Sequence, residues 1–427
     1  MLHLGVAVRD ITPTRSVWMD GYGDRDRPSA GVYAPLTARV LALRQGNTAA
    51  LITVADVLNF DREQERQFKA SIGAATGLPA EAVILCATHT HCGPRCADIL
   101  MLGERDGEFL TRLEAQLAAA AQQALAEAGP AEAAFSRTRS AFGINRRLPD
   151  GAGGVRFHPN PEGVIDRDLD TYWFTTAEGT PIASLTLYGC HPTSRAGYDL
   201  GPDYPGTLRQ RLERDWGGQA LFLTGCAGNI RPAFLDERGL FRSAQIEEVE
   251  AAGEALAAAA LAGRFRARRL TEPCLRVTSG TAMLPVEEAP DRAALERMAQ
   301  AEGTDFASRV DREWSRRMLQ RLEAGPLPRA VPFTVQTLSL DRQHALVFLA
   351  GEVVTEIGLA IKQAHPYHVL STPAYSNGIV GYVPSRSIYP QGGYEVRGAY
   401  KFYLQPGAFT SEVEEVILAE VARQLAG

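Results

Sequence analysis

A chain of 427 residues is long enough to bury a large α/β core, and its 45% apolar and 22% charged residues are ordinary for a globular enzyme. A formal net charge of −6, with no run of clustered Lys and Arg, excludes a surface built to bind nucleic-acid phosphates. No apolar stretch approaches the length of a membrane span; residues 255–262, among the longest, fall far short.

The opening residues, Met1 to Arg9, lack a basic segment followed by an apolar one, so they predict no secretory signal and a cytoplasmic protein. Six cysteines (Cys86, Cys92, Cys96, Cys190, Cys226 and Cys274) are too sparse for a disulfide scaffold and suit a reducing compartment. Cys92 and Cys96 have the spacing of half a zinc site, but no second pair follows them.

Residues 40–44 and 50–55 read as neighbouring strands divided by the turn signal Gln45-Gly46-Asn47. Residues 61–75 carry charges at helical spacing and stop at Gly77-Leu78-Pro79. The apolar run 82–87 reads as a buried strand, and 108–128 as a long helix. Strands at 182–187 and 220–223 flank a helix at about 204–216, and an Ala-rich helix follows at about 244–262. Residues 284–332 are charged, helical in pattern and bounded by prolines. They read as a helical excursion too polar to make its own core. Strands at 333–338 and 345–349, a helix at about 352–364, a strand at 368–371 and a final helix at 411–425 complete the chain. The sum is an α/β fold with mixed sheets layered with helices, in a single domain over 1–427.

Residues 373–408 stand apart. So long a loop in a compact domain belongs to a functional site, and this one holds Tyr375, Tyr382, Tyr389, Tyr394 and Tyr400.

Two of the eight histidines lie in Thr88-His89-Thr90-His91-Cys92-Gly93-Pro94, beyond a predicted buried strand. On an extended chain residues i and i+2 point the same way, so both imidazoles are expected to face one space, as a metal ligand and a proton carrier would. His191, held extended by Pro192, also follows an apolar strand. Glu352, behind Gly351, sits at a predicted strand-to-helix turn where helix amides favour negative charge.

In chain order, THTHCGP, CHPTS, LAGE and the tyrosine-rich loop resemble the catalytic domain of neutral ceramidases and its short bacterial relatives. Gly5 to Pro13, Gly21-Tyr22-Gly23, Val54-Ala55-Asp56, Ile144 to Arg147, Asp203 to Gly206 and Thr224 to Pro232 extend the match along the chain. The resemblance implies a ceramidase-like fold and one Zn2+ held by His89, His191, Glu352 and Tyr382. It implies His91, Arg146 and Tyr394 beside the reacting carbonyl, with Arg147 next to Arg146 able to exchange roles. Asn229 and Cys226, in the Gly-rich turn, fall with the substrate-binding residues. The implied activity is hydrolysis of a small-molecule amide or ester, amidase-like, by a zinc-activated water. Proton transfer falls to His91 and oxyanion stabilisation to Arg146 and Tyr394.

The chain departs from the family at Gly225, where the pattern Ser-Asn-x-Gly-Asp-Val-Ser-Pro begins with serine, and at Val396, which follows Tyr394-Glu395 in place of glycine. A serine-based mechanism is thereby excluded and a substrate other than ceramide expected. Two alternatives accompany this reading: a cysteine-dependent hydrolase using Cys226 or Cys92, and a non-catalytic, metal-stabilised ligand-binding protein. Self-association into a homo-oligomer stays open.

Overall fold

The computed structural model describes residues 1–426. A nine-stranded sheet dominates, and most of its strands are antiparallel. In spatial order its main path runs Gln219–Thr224, Pro181–Tyr188, Asp168–Thr175, Gly129–Arg139, Leu2–Asp10, Thr37–Gln45, Thr48–Ala55 and Val83–Ala87. Parallel pairs occur at its two ends, Thr48–Ala55 with Val83–Ala87 and Pro181–Tyr188 with Gln219–Thr224. A four-stranded sheet, Arg276–Pro285, Ala330–Ser339, His344–Leu349 and Val369–Ser371, packs against it. The α/β class with mixed sheets expected from the sequence is what the structure shows.

Alternation along the strands explains the layering. Val40 and Ala42 enter one core with the helices Arg62–Thr76 and Gly107–Ala126, while Leu41 and Leu43 enter the core between the sheets. Val83 and Leu85 likewise face the helices, and Ile84 and Cys86 face the second sheet. Both faces of these strands are covered, so the sequence reads as a continuous apolar run there. Helices Tyr204–Asp215 and Ile246–Arg264 cover another part of the large sheet, and Thr355–Ala364 and Val413–Ala426 cover the small one. Gly5 has a steric cause: a Cβ there would sit 2.0 Å from the carbonyl oxygen of Ala124, so the long helix crosses the first strand at closest approach.

Helix boundaries follow local chemistry. Arg62–Thr76 is opened by a reciprocal cap between Asp61 and Gln64 and closed by Gly77 at φ 73°. The polar excursion contains the helices Arg292–Gln300 and Phe306–Ala324. It shares a small core with the rest of the chain: Val310, Trp314 and Met318 recur at helical spacing and, with Leu295, meet Leu100 and Leu404 from outside the excursion.

One buried ion pair ties the layers together. Asp56, at the end of a central strand, accepts from Arg209 of the helix Tyr204–Asp215 at 2.9 and 2.8 Å. Its oxygens also accept from Thr37 and from the Thr88 hydroxyl, so every lone pair is used.

Candidate metal centre

Strand ends deliver the histidines. Val83–Ala87 stops at Thr88, and His89 turns into the left-handed region at φ 65°, with its N–H donating to the Val57 carbonyl. A non-glycine residue at such a φ carries backbone strain, a feature that concentrates at functional sites. The extended geometry expected for this segment is therefore absent. His89 and His91 still share one space, because the turn at His89 and the bond from the His91 N–H to the Pro192 carbonyl bring them there. His191 follows the strand Pro181–Tyr188, and its own N–H donates to the Ile230 carbonyl.

Glu352 and Tyr382 are direct partners in a two-residue parallel bridge, Glu352–Val353 with Tyr382–Val383. The helix expected from about 352 begins instead at Thr355. The β-branched Val353 and Val354 hold an extended path, and the Glu352 N–H donates to the Gly381 carbonyl. Asn229 closes the turn: its side-chain oxygen accepts from the Thr355 N–H, and its amide donates to both oxygens of Glu356.

These segments converge. Glu352 Oε2 lies 2.9 Å from His191 Nε2 and 3.2 Å from His89 Nε2, and the Tyr382 hydroxyl is 3.3 Å from His191 Nε2. His89, His91 and His191 form a buried group whose ring nitrogens lie within 4.8 Å of one another and could hold a metal ion. Tyr403 donates a hydrogen bond to the other Glu352 oxygen.

The donor set fits a cation. His191 Nδ1 lies 2.6 Å from the Ala227 carbonyl and His89 Nδ1 lies 2.7 Å from that of Leu58. A carbonyl only accepts, so each Nδ1 carries a proton and each ring turns its Nε2 inward, toward Glu352. Burial pushes the His191 imidazole down to about 4, which keeps it neutral near pH 7. Burial works to raise the Glu352 carboxyl, yet the two imidazoles hold it well below the usual carboxylate range. Two imidazole nitrogens and a carboxylate oxygen at these distances call for a proton or a cation among them.

His91 is built differently. Neither of its nitrogens has a hydrogen-bond partner, and burial, with His89 and His191 next to it, holds it well below its ordinary basicity. Its ring meets Tyr22 edge-on at 5.1 Å, and a Cβ on Gly21 would lie 2.4 Å from its Nδ1.

A cavity of about 240 Å³ opens on this cluster, lined by His91, Glu352, Tyr382, Tyr394 and Tyr403 with apolar walls that include Ile99, Phe306 and Phe402. Arg146 stacks over Tyr382 and Tyr394 at 5.3 and 5.6 Å, and its Nε donates to Glu395 at 2.8 Å. Arg147 donates to the other Glu395 oxygen at 2.6 Å, so one carboxylate serves two guanidiniums.

Asn229 and Cys226 do not line this cavity. Every polar atom of the Asn229 side chain is spent on the helix Thr355–Ala364, and its carbonyl accepts from the Arg146 N–H. Cys226 lies in the core under that helix with its thiol pushed up to about 12 by burial. Three aromatic groups at the site were not among the expected residues: Tyr403, Tyr22 and Tyr375, whose ring lies 4.0 Å from that of His89. Tyr375 stands in the tyrosine-rich loop and Tyr22 in a matched motif, so the signal was present but unassigned.

Two solved structures decide the fold. A crystal structure of neutral ceramidase from Pseudomonas aeruginosa superposes with a TM-score of 0.74 at 19% identity, covering 100% of this chain and 74% of that one. It has the neutral ceramidase fold. A structure of ceramidase complexed with C2 agrees, with a TM-score of 0.75 at 18% identity over 99% of this chain and 74% of that one. No protein-family model matches the sequence, and no curated protein sequence matches it. On the neutral ceramidase fold, the buried histidine group lies where the ends of Val83–Ala87 and Pro181–Tyr188 meet.

Proposed function

We propose that the protein is a zinc-dependent hydrolase of small amides or esters, with the ion held by His89, His191, Glu352 and Tyr382. The observation that carries this reading is the convergence of two inward Nε2 atoms at 2.9 and 3.2 Å from one Glu352 oxygen. Zinc bound there supplies Lewis-acid charge and lowers the pKa of a coordinated water from about 15.7 to about 7. His91 faces the cavity untied to any carbonyl, so it is free to take and return a proton. Arg146 keeps a buried Nη2 without a partner, and with Tyr394 it offers donors to a developing oxyanion. A volume of about 240 Å³ lies below the roughly 300 Å³ that drug-sized ligands begin to require, which favours a substrate smaller than ceramide. Six unpaired cysteines, five of them buried, favour a reducing, cytoplasmic setting. No helix among the described residues is long and apolar enough to cross a membrane.

Metal analysis of purified protein, coupled to a panel of short amides and esters, tests the reading. Near-stoichiometric zinc and chelator-sensitive hydrolysis are expected in the wild type, and neither in His89→Ala. Hydrolysis that persists after complete metal removal would overturn it. Inhibition by iodoacetamide without chelator sensitivity would point to a cysteine nucleophile, which the depth of Cys226 disfavours.

Gly21→Ala isolates His91. At φ 99° a side chain is strained, and its Cβ would meet the imidazole. Turnover is expected to fall by about a hundredfold with metal content unchanged, as loss of an acid–base group predicts. Unaltered turnover would remove His91 from proton transfer.

A further inference from the structure

One aromatic ring removed from the cavity wall stands a cation without an anion. Arg231 follows Ile230 in the three-residue strand Ile230–Pro232, is partly buried, and makes no ion pair among the described residues. Its protein hydrogen bonds go to Thr193 alone, from Nε to the hydroxyl at 3.3 Å and from Nη2 to the carbonyl at 3.4 Å. Two aromatic rings fix the guanidinium plane, Phe241 at 4.7 Å and Phe157 at 5.8 Å.

Two contact paths join Arg231 to the centre. The Thr193 carbonyl it touches also accepts from the Tyr22 hydroxyl at 3.1 Å, and Tyr22 packs on His91. Phe157 also lies under Arg146 at 4.8 Å and meets Tyr394 edge-on at 6.0 Å. Arg146 and Arg147 share the single carboxylate of Glu395, so this side of the site holds more positive than negative charge. A partly buried, unpaired guanidinium held between aromatic rings is well placed to gain from a bidentate carboxylate.

We infer that Arg231 is a specificity residue that binds a carboxylate of the substrate, so the substrates are small anionic amides or esters. This rests on the hydrolase reading above. The carboxylate belongs to either fragment of the substrate: hydrolysis of N-acetylglycine releases acetate and glycine, and that of succinamate releases succinate and ammonia.

The test compares kcat/KM for N-acetylglycine with N-acetylglycinamide, and for succinamate with succinamide, on zinc-loaded wild type, Arg231→Gln and Arg231→Lys. Calorimetric binding of N-acetylglycine is measured on the same proteins. A wild-type preference of at least about tenfold for one acid over its neutral partner is expected. It should collapse towards unity in Arg231→Gln and survive in part in Arg231→Lys. The pair that shows the preference identifies the fragment that carries the charge. Hydrolysis without charge preference, or a preference that Arg231→Gln leaves intact, overturns the inference and spares the hydrolase. Arg231-dependent binding of N-acetylglycine without turnover of any probe does the reverse. Absence of both binding and turnover rejects the carboxylate site.

Discussion

Glu352→Gln is expected to lower metal affinity by more than about a hundredfold and to remove turnover with it, while the fold stays intact. The substitution keeps shape and deletes charge. The amide oxygen can still accept from Tyr403, and the new NH2 group can donate to the Nε2 lone pairs of His89 and His191. Two internal hydrogen bonds then take the place of the cation, so the metal-free variant should melt no lower than the metal-free wild type. Loss of a directly bound carboxylate costs more than the roughly 10–100-fold typical of an outer hydrogen-bond partner. Metal analysis and thermal melts on both forms check this. Undiminished zinc content would take Glu352 out of the ligand set.

Asp56→Ala should be the most destabilising single change near the site, by about 3–5 kcal/mol, because it leaves the Arg209 guanidinium buried without a counter-charge. The side chains of Arg209 and Asp56 are 2% and 0% exposed, so water cannot replace the lost partner. The same carboxylate holds the Thr88 hydroxyl at 3.1 Å, one residue before His89, so metal affinity should fall along with stability. Urea unfolding with an unchanged m-value measures the first effect, and metal titration the second. Adding Arg209→Met should restore much of the stability, since removing both charges avoids the orphan. A single-variant loss below about 1 kcal/mol would show that the pair matters little.

The sequence carried the layered α/β class well, because buried strands such as Val83–Ala87 and capped helices such as Arg62–Thr76 depend on nearby residues. Less legible were Leu2–Asp10, Gly129–Arg139 and Asp168–Thr175, strands whose mix of polar and apolar residues makes sense only beside their neighbours in the large sheet. The helix begun too early at Glu352 has the same origin. Its extended path depends on pairing with Tyr382. At the site, His89, His91, His191, Glu352 and Tyr382, read from separate motifs, lie close together in space. Asn229 and Cys226 looked like pocket residues because a Gly-rich turn announces itself, yet it does not reveal which way each side chain points. Arg231, in the short strand that follows that turn, carries no sequence signal of its own, because only the fold shows that no carboxylate pairs with it.

The parallel bridge between Glu352 and Tyr382 bears on how such a chain is born. A ribosome threads out His89 and His191 while both oxygen donors are still unsynthesised. The nascent protein can then offer a passing cation only imidazoles. On the ligand set proposed above, durable capture would wait until Tyr382 had emerged and paired with Glu352, and the centre would be filled as one of the closing acts of maturation.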